Sequence, residues 1–297
     1  MFLVTDVTGH VGRAVLAELA NQPVAVRALV QESADLPIKA PNIEAVRPDP
    51  EDPASLQRAV EGVEAVFLAS QFSPHIAEAH RRIAKAAKAG GAKRFVQLSG
   101  VGANPQMCCA RLLRWMGQAE TGVAAETGVD NCPEIAVTRL RPSYLLQMLF
   151  EFAPTIAQQG LIAGPFRSTP WSWVDARDVA AVAVAALKDP SHAGRIYTVT
   201  GPESLSFPQI ADRLSHILGK PVRYNDITAN EARGWLQAKG LSPVMIEAKL
   251  ELWDACASNM LNVAPNTVVQ DVTGRPPRTL EEFIHDYKAR FLSASAA

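Results

Sequence analysis

From residue 2 to about residue 150, short β-branched runs alternate with longer alanine-rich stretches whose apolar side chains recur every three or four positions. That alternation is the pattern of βαβ units on a parallel sheet. Strands are predicted at 2–5, 24–30, Ile43–Val46, Ala65–Leu68, Arg94–Leu98 and 135–140. Between the first two, Val11, Val15 and Leu19 fall at i, i+4 and i+8, giving a helix with one face toward the sheet. Asp52-Pro53 supplies an N-cap and a proline at the first helical position for a helix running to about Val60. Ile76–Ala89 forms a further helix, stopped by Gly90-Gly91.

Beyond Leu140 the rhythm loosens. Short strands are expected around Trp173-Val174 and Ile196–Val199, with a helix over 178–187 between them and Asp178 as its N-cap. The remainder reads as mostly helical, with capping boxes at Ser206/Gln209, Thr228/Glu231 and Thr279/Glu282 and a short fraying tail after Phe291. The expected fold is α/β: a Rossmann-type doubly wound parallel sheet with a smaller, mostly helical C-terminal substrate lobe. Residues 1–150, completed by parts of 170–200, make the dinucleotide-binding domain, and 151–297 the substrate-binding lobe.

Composition narrows the function. At 297 residues, 48% hydrophobic and 20% charged, the chain is of ordinary globular type and large enough for one main core plus a subsidiary one. Its 29 basic and 30 acidic residues carry no long like-charge run, which argues against nucleic acid or anionic lipid as a partner. A small-molecule substrate and a monomer or homodimer are expected. No apolar run approaches the ~20 residues of a spanning helix, and no basic segment precedes an apolar one at the N-terminus, so a cytoplasmic protein is expected. Cys108, Cys109, Cys132 and Cys256 show no CxxC spacing, and His75, His80 and His216 have no ligand partners at usable spacing. Free thiols, packing or surface histidines and no metal site follow.

Directly after the first strand stands Asp6-Val7-Thr8-Gly9-His10-Val11-Gly12, with the helix beginning inside it. A dinucleotide-binding fold needs glycines here, because backbone must approach a pyrophosphate closely where a helix N-terminus offers free N–H groups. Gly9 and Gly12 occupy the second and third glycine positions of a GxxGxxG turn, and Asp6 the first. A carboxylate facing a phosphate at 4 Å would cost roughly 4 kcal/mol at an effective dielectric of 20. A carboxylate facing the adenosine ribose would accept hydroxyl hydrogen bonds, and one capping local N–H groups would touch no ligand. Glu32 follows Gly12 by twenty residues, where an acidic side chain binds the ribose diol of NAD, so the cofactor expectation leans to NAD; a solvated Glu32 is the alternative.

With this turn, the strand end at Ala65 to Ser70, Leu98-Ser99-Gly100, Arg141-Pro142 and Trp173-Val174-Asp175-Ala176-Arg177-Asp178-Val179-Ala180 in order, the chain resembles the NmrA-like group of atypical short-chain dehydrogenases/reductases. Tyr197-Thr198-Val199-Thr200-Gly201-Pro202 and Thr273-Gly274-Arg275-Pro276-Pro277-Arg278-Thr279 extend the resemblance over nearly the whole chain. That group includes NAD(P)H-dependent reductases of quinones, dyes and imines, biosynthetic enzymes, and regulators that sense nucleotide redox state. The resemblance implies Thr8, Gly9, His10, Val11 and Gly12 at the cofactor phosphates and Gln31 and Glu32 at the adenosine ribose, while Asp6, in the first glycine position, is a candidate cofactor contact. It also implies Asp49 and Pro50 by the adenine, Ala69 and Ser70 beneath the ribose, and Ser99 beside the nicotinamide. The chain departs from the group at Asp6, at Gln31 where NADP-binding members carry arginine, and at Pro48 where glycine is common.

The tyrosine and lysine that supply a proton in standard short-chain dehydrogenases are missing. Met116 and Glu120, on the stretch Arg114-Trp115-Met116-Gly117-Gln118-Ala119-Glu120, stand near where that pair would be sought. Ser99 and Gln118 are the candidate catalytic residues, with a turn or helix cap as the alternative role for Ser99. The substrate pocket is expected to involve Phe72, Val101, Trp115, Met116, Gln118, Tyr144, Met148 and Trp171, with Pro142 at a strand's carboxyl edge meeting the cofactor. The leading expectation is an NAD(P)-dependent reductase of a small conjugated or carbonyl compound acting by direct hydride transfer. A redox-neutral cyclase or isomerase that needs no cofactor, and a non-catalytic NAD(P) sensor, are the alternatives.

Overall fold

The computed structural model describes residues 1–30, 35–49, 52–107, 109–129 and 135–293. Gln31, Glu32, Pro50, Cys108 and Cys132 lie outside the described residues. β1 (Phe2–Val4) leads into α1 (His10–Leu19), β2 (Val26–Leu29), β3 (Ile43–Val46), α2 (Pro53–Val60), β4 (Ala65–Leu68), α3 (Ile76–Ala89), β5 (Arg94–Leu98), α4 (Arg111–Thr127) and β6 (Ala136–Pro142). The chain continues through β7 (Tyr144–Leu145), a 3-10 helix (Leu146–Phe152), α5 (Ala153–Gln159), β8 (Leu161–Gly164), β9 (Trp171–Val174), α6 (Ala176–Lys188) and β10 (Ile196–Val199). It ends with β11 (Ser204–Leu205), α7 (Phe207–Leu218), β12 (Arg223–Asp226), α8 (Ala229–Ala238), α9 (Pro243–Ala257), α10 (Val268–Thr273), α11 (Leu280–Asp286) and α12 (Lys288–Leu292).

Seven strands form one parallel sheet in the order β10-β6-β5-β4-β1-β2-β3. The chain moves outward from β1 to β3 and then returns to β4 on the other side of β1, so the strand order reverses between β1 and β4. Ligands of open α/β sheets bind in the crevice at the carboxyl ends of the strands around such a reversal. Alternate residues of each strand feed opposite cores. Val4, Phe67, Val96 and Leu140 pack under α1 and α6; Leu3, Val66, Phe95 and Val137 pack under α3 and α4. Burial on both faces explains why β4 reads Ala-Val-Phe-Leu without polar alternation.

A further core gathers Phe152, Phe166, Trp171, Trp173, Phe207 and Trp253 from the C-terminal half, with Phe166 and Phe207 stacked at 4.1 Å. This part carries more strand than its sequence suggests, since β8 pairs with β12 and β9 lies between β7 and β11. β7 and β11 are two residues long and β12 reads Arg-Tyr-Asn-Asp, so no apolar alternation marks them. The three capping boxes form as expected.

The N-cap of α6 corrects the sequence reading. It is Asp175, whose carboxylate accepts from Arg177 N at 2.8 Å and Gln147 Nε2 at 2.9 Å. Asp178 sits inside the first turn, where it accepts from Arg278 N at 2.7 Å and pairs with the Arg278 guanidinium. The two aspartates thus hold α6 to segments more than 25 residues away. No helix among the described residues is long and apolar enough to cross a membrane.

Candidate functional site

The site begins where β1 ends. Thr5 Oγ1 accepts from Ala69 N at 2.8 Å and donates to Ala69 O at 2.6 Å, clamping the ends of β1 and β4 together. The chain then turns through Asp6 at φ +52°, in the left-handed region that a glycine would enter without strain and that aspartate tolerates better than most residues. Gly9 N donates to Asp6 O at 2.9 Å, and Gly9 becomes the N-cap of α1 with no side-chain cap on the first turn. The opening amides of α1 are therefore left without a side-chain partner, as an anion-binding helix start requires.

Two missing side chains shape this turn. A Cβ on Gly12 would lie 2.1 Å from Asp6 O and 2.9 Å from Thr5 O, so only glycine lets α1 lie this close to the strand end. A Cβ on Gly9 would lie 2.3 Å from Asp6 Oδ2 and 2.8 Å from its Cγ. The Asp6 carboxyl thus fills the space over Gly9 through which a diphosphate would approach. It makes no hydrogen bond among the described residues, and burial pushes its pKa up to about 6.

The opening of α1 also meets the C-terminal end of the chain. His10 lies 6.0 Å from the Phe150 ring, and Arg290 of α12 stacks its guanidinium 4.0 Å over the same ring. Burial, and next the charge of Arg290, hold the His10 imidazole below its ordinary pKa. Neither Arg13 nor Arg290 pairs with a carboxylate among the described residues.

An apolar cavity of about 180 Å³ opens at the carboxyl ends of β5 and β6, and Val11 of α1 lines it beside the glycine turn. Its volume slightly exceeds the roughly 150 Å³ that holds a benzene ring. Leu98, Ser99, Val101, Pro142 and Ser143 form the side nearest the sheet. Met116 of α4, Tyr144, Met148 and Trp171 also line it, while Leu252, Cys256 and the 261–263 segment close it from the C-terminal part. Phe72, half exposed, stands among its lining residues.

Two hydroxyls in this wall have no hydrogen-bond partner among the described residues. Ser99 is 4% exposed and its Oγ bonds to nothing, although its backbone N–H reaches Leu140 O at 2.8 Å. The Oγ of Ser143 is likewise buried without a partner. Two other hydroxyls of the wall are engaged: Ser172 bonds to Ser204 and Val263 O, and Tyr144 accepts from Trp253 Nε1 at 3.0 Å. Burial pushes the Tyr144 phenol far up, so it stays neutral. A buried, unpaired hydroxyl costs on the order of 1–3 kcal/mol unless something bonds it, which marks Ser99 and Ser143 as the polar contacts offered to a guest.

The structure thus brings Phe72, Val101, Met116, Tyr144, Met148, Trp171, Ser99 and Pro142 to one cavity. It does not bring Trp115 or Gln118 there. Each residue turns a helix by roughly 100°, so Gln118, two positions beyond Met116, points away and is exposed, and Trp115 sits half-buried on the flank of α4. Thr8 is exposed at the turn, Ala69 and Ser70 follow β4, and Asp49 follows β3 with its N–H on Ser55 Oγ at 2.8 Å. His80 is buried, with Nδ1 3.1 Å from Gln97 Nε2. Ser143 directly follows Pro142 at the strand's carboxyl edge, whereas Cys256 and the 261–263 segment had no local signal in the sequence, because only packing of the C-terminal part brings them here.

An open parallel sheet with a strand-order reversal, a glycine turn opening the first helix and an apolar cavity beside it define a Rossmann-type α/β protein. The chain belongs to the NmrA-like family, whose sequence profile matches residues 1–284. It is 34% identical over 295 residues to the NAD(P)H azoreductase of Xenophilus azovorans, covering 99% of this chain and 100% of that protein. It is equally 34% identical over 292 residues to the (4-alkanoyl-5-oxo-2,5-dihydrofuran-3-yl)methyl phosphate reductase of Streptomyces griseus, covering 98% and 99% of the two chains. The NADPH-dependent quinone oxidoreductase of Escherichia coli, solved with NADPH, superposes with a TM-score of 0.81 at 23% identity over 97% of this chain and 100% of that one, a likeness of fold.

Proposed function

We propose that the protein is an NAD(P)-dependent oxidoreductase that reduces a small, planar conjugated or carbonyl compound by direct hydride transfer. The observation that carries this reading is the junction at Val11, where the helix start suited to a diphosphate adjoins an apolar cavity with two unpaired hydroxyls. The names of two full-length relatives, both reductases, support it.

The residues present fit a dinucleotide. Gly12 lets α1 lie close against the strand end, and the first-turn amides of α1 would hold the diphosphate with Thr8 and His10, beside the Asp6 carboxyl over Gly9. Ala69 and Ser70 would lie beneath the ribose, Asp49 toward the adenine, and Pro142 and Ser99 against the nicotinamide. Gln31, where a 2′-phosphate would need arginine, and Glu32 lean the choice toward NAD. When bound, the nicotinamide supplies the hydride.

The chain's own contribution is placement and polarisation. Met116, Tyr144 and Trp171 exclude water and hold an aromatic guest flat. Ser99 and Ser143 donate hydrogen bonds to the guest's oxygen or nitrogen, stabilising the negative charge that hydride delivery creates there. An electron-poor acceptor needs little more than this, which accounts for an active site without a tyrosine–lysine pair.

The Asp6 carboxyl over Gly9 favours a second reading: a redox-neutral cyclase or isomerase using the same cavity. One experiment separates the two. NADH and NADPH are titrated against the protein by nicotinamide fluorescence and melting temperature, and ligand at a hundredfold its Kd should add about 2.7 kcal/mol of stability. Binding followed by oxidation of the bound NADH on adding a quinone or azo compound supports the reductase. No response to either nucleotide, in the native protein or in Asp6→Gly, supports the redox-neutral enzyme.

A further inference from the structure

The most unusual group in the molecule is the carboxyl of Asp6, which stands where the turn would ordinarily have hydrogen. Its backbone already takes the left-handed conformation of a glycine. Its side chain turns toward Gly9, with both oxygens within 3.0 Å of where a Gly9 Cβ would sit. Among the described residues no donor bonds it, and the opening of α1 carries His10 and Arg13, with Arg290 of α12 close to His10. Burial raises the Asp6 pKa, and Ala69, just beyond β4, is clamped to Thr5 immediately before the turn.

On the reading that this turn holds a dinucleotide, diphosphate and carboxyl share one space. We propose that the dinucleotide binds only with Asp6 protonated, so that one proton is taken up for each cofactor bound and the carboxylic acid donates a hydrogen bond to the diphosphate. A carboxylate is acceptor-only, and only the protonated acid has an O–H to offer a phosphate oxygen. An ionised Asp6 would weaken binding by roughly a thousandfold at a 4 Å separation. Asp6 therefore makes cofactor occupancy a function of pH, and a site that looks decayed in sequence is a conditional one. A burial-raised pKa near 6 in the free protein places the transition in the neutral range.

The test is the Kd for NADH, measured by fluorescence at intervals between about pH 5.5 and 8.5. NADH is the probe because the 2′-phosphate of NADPH ionises near pH 6 and would add its own slope. The native protein should lose about tenfold in affinity per pH unit above pH 6.5, and calorimetry in two buffers of different ionisation enthalpy should count close to one proton taken up. Asp6→Asn and Asp6→Gly should bind with no such slope, no proton uptake and roughly a tenfold or greater gain at pH 8. His10→Gln should keep the slope, separating Asp6 from the neighbouring imidazole. Native binding without pH dependence, or a slope retained in Asp6→Asn, overturns this proposal while leaving the cofactor site standing. No NADH binding by the native protein or either Asp6 variant at any pH overturns the proposal and the functional reading together.

Discussion

Arg141, near the end of β6, closes a two-pronged hydrogen bond on Glu120 of α4, with Nε to Oε1 at 2.9 Å and Nη2 to Oε2 at 2.5 Å. Glu120 is 7% exposed and has Arg139 3.9 Å away on its other side. The helix position near which a short-chain dehydrogenase lysine would be sought therefore holds a carboxylate committed to the sheet. Such a group fixes α4, and through it Met116, against the cavity.

Glu120→Ala should leave the Arg141 guanidinium without its partner and cost about 3 kcal/mol, since breaking a buried pair leaves an uncompensated charge. Urea unfolding measures the loss. If Glu120 positions α4 and takes no part in proton transfer, the pH profile of kcat should keep its shape in this variant.

Ser99→Ala and Ser143→Ala remove hydroxyls that bond to nothing in the free protein, so neither should lower the melting temperature. Both should slow acceptor reduction, each by about tenfold in kcat/KM if a hydrogen bond worth ~1.4 kcal/mol is lost in the transition state. Steady-state kinetics with a quinone, alongside thermal melting, tests the separation of activity from stability. Gln118→Ala, on the exposed side of α4, should change neither.

Gly9→Ala and Gly12→Ala should fail in different ways. At Gly9 the new methyl meets the Asp6 side chain, which can rotate, so the protein should fold and lose nucleotide binding. At Gly12 it meets backbone oxygens of Asp6 and Thr5, which cannot yield without moving α1 from β1, so soluble folded yield or melting temperature should drop sharply. Circular dichroism and NADH titration of the pair distinguish the outcomes.

Buried His80 and part-buried Asp6 give stability opposite dependences on pH. Burial pushes the His80 pKa down to about 4, so the unfolded chain binds its proton first as pH falls through the ordinary histidine range. Stability is full above about pH 6.5 and declines toward pH 4, by on the order of 3 kcal/mol from this residue. Asp6, raised to about 6, works the other way: its contribution is full below the ordinary carboxylate pKa of about 4 and is lost as pH rises through 6. Asp6→Asn should therefore melt higher than the native protein at about pH 8, with the difference shrinking toward pH 5. Melting curves across that range, with His80→Gln as the control for the acid side, measure both slopes.

What the sequence determined by itself is what neighbouring residues decide among themselves. The buried strand Ala65–Leu68, the Asp52 cap of α2, the three capping boxes and the glycine turn are all set by periodicity or by bonds spanning a few residues, so contiguous sequence carries them. Tertiary structure decided the rest. The polar β12 becomes a strand only because β8 lies beside it, and Asp175 rather than Asp178 caps α6 in company with Gln147, 28 residues earlier. The cavity depends on contacts such as Tyr144 with Trp253, 109 residues apart, which place α9 opposite the ends of β5 and β6. The sequence put aspartate at position 6; only the packing of α1 on β1 aimed its carboxyl over Gly9, because side-chain direction in a tight turn follows from backbone conformation and the space left by neighbours.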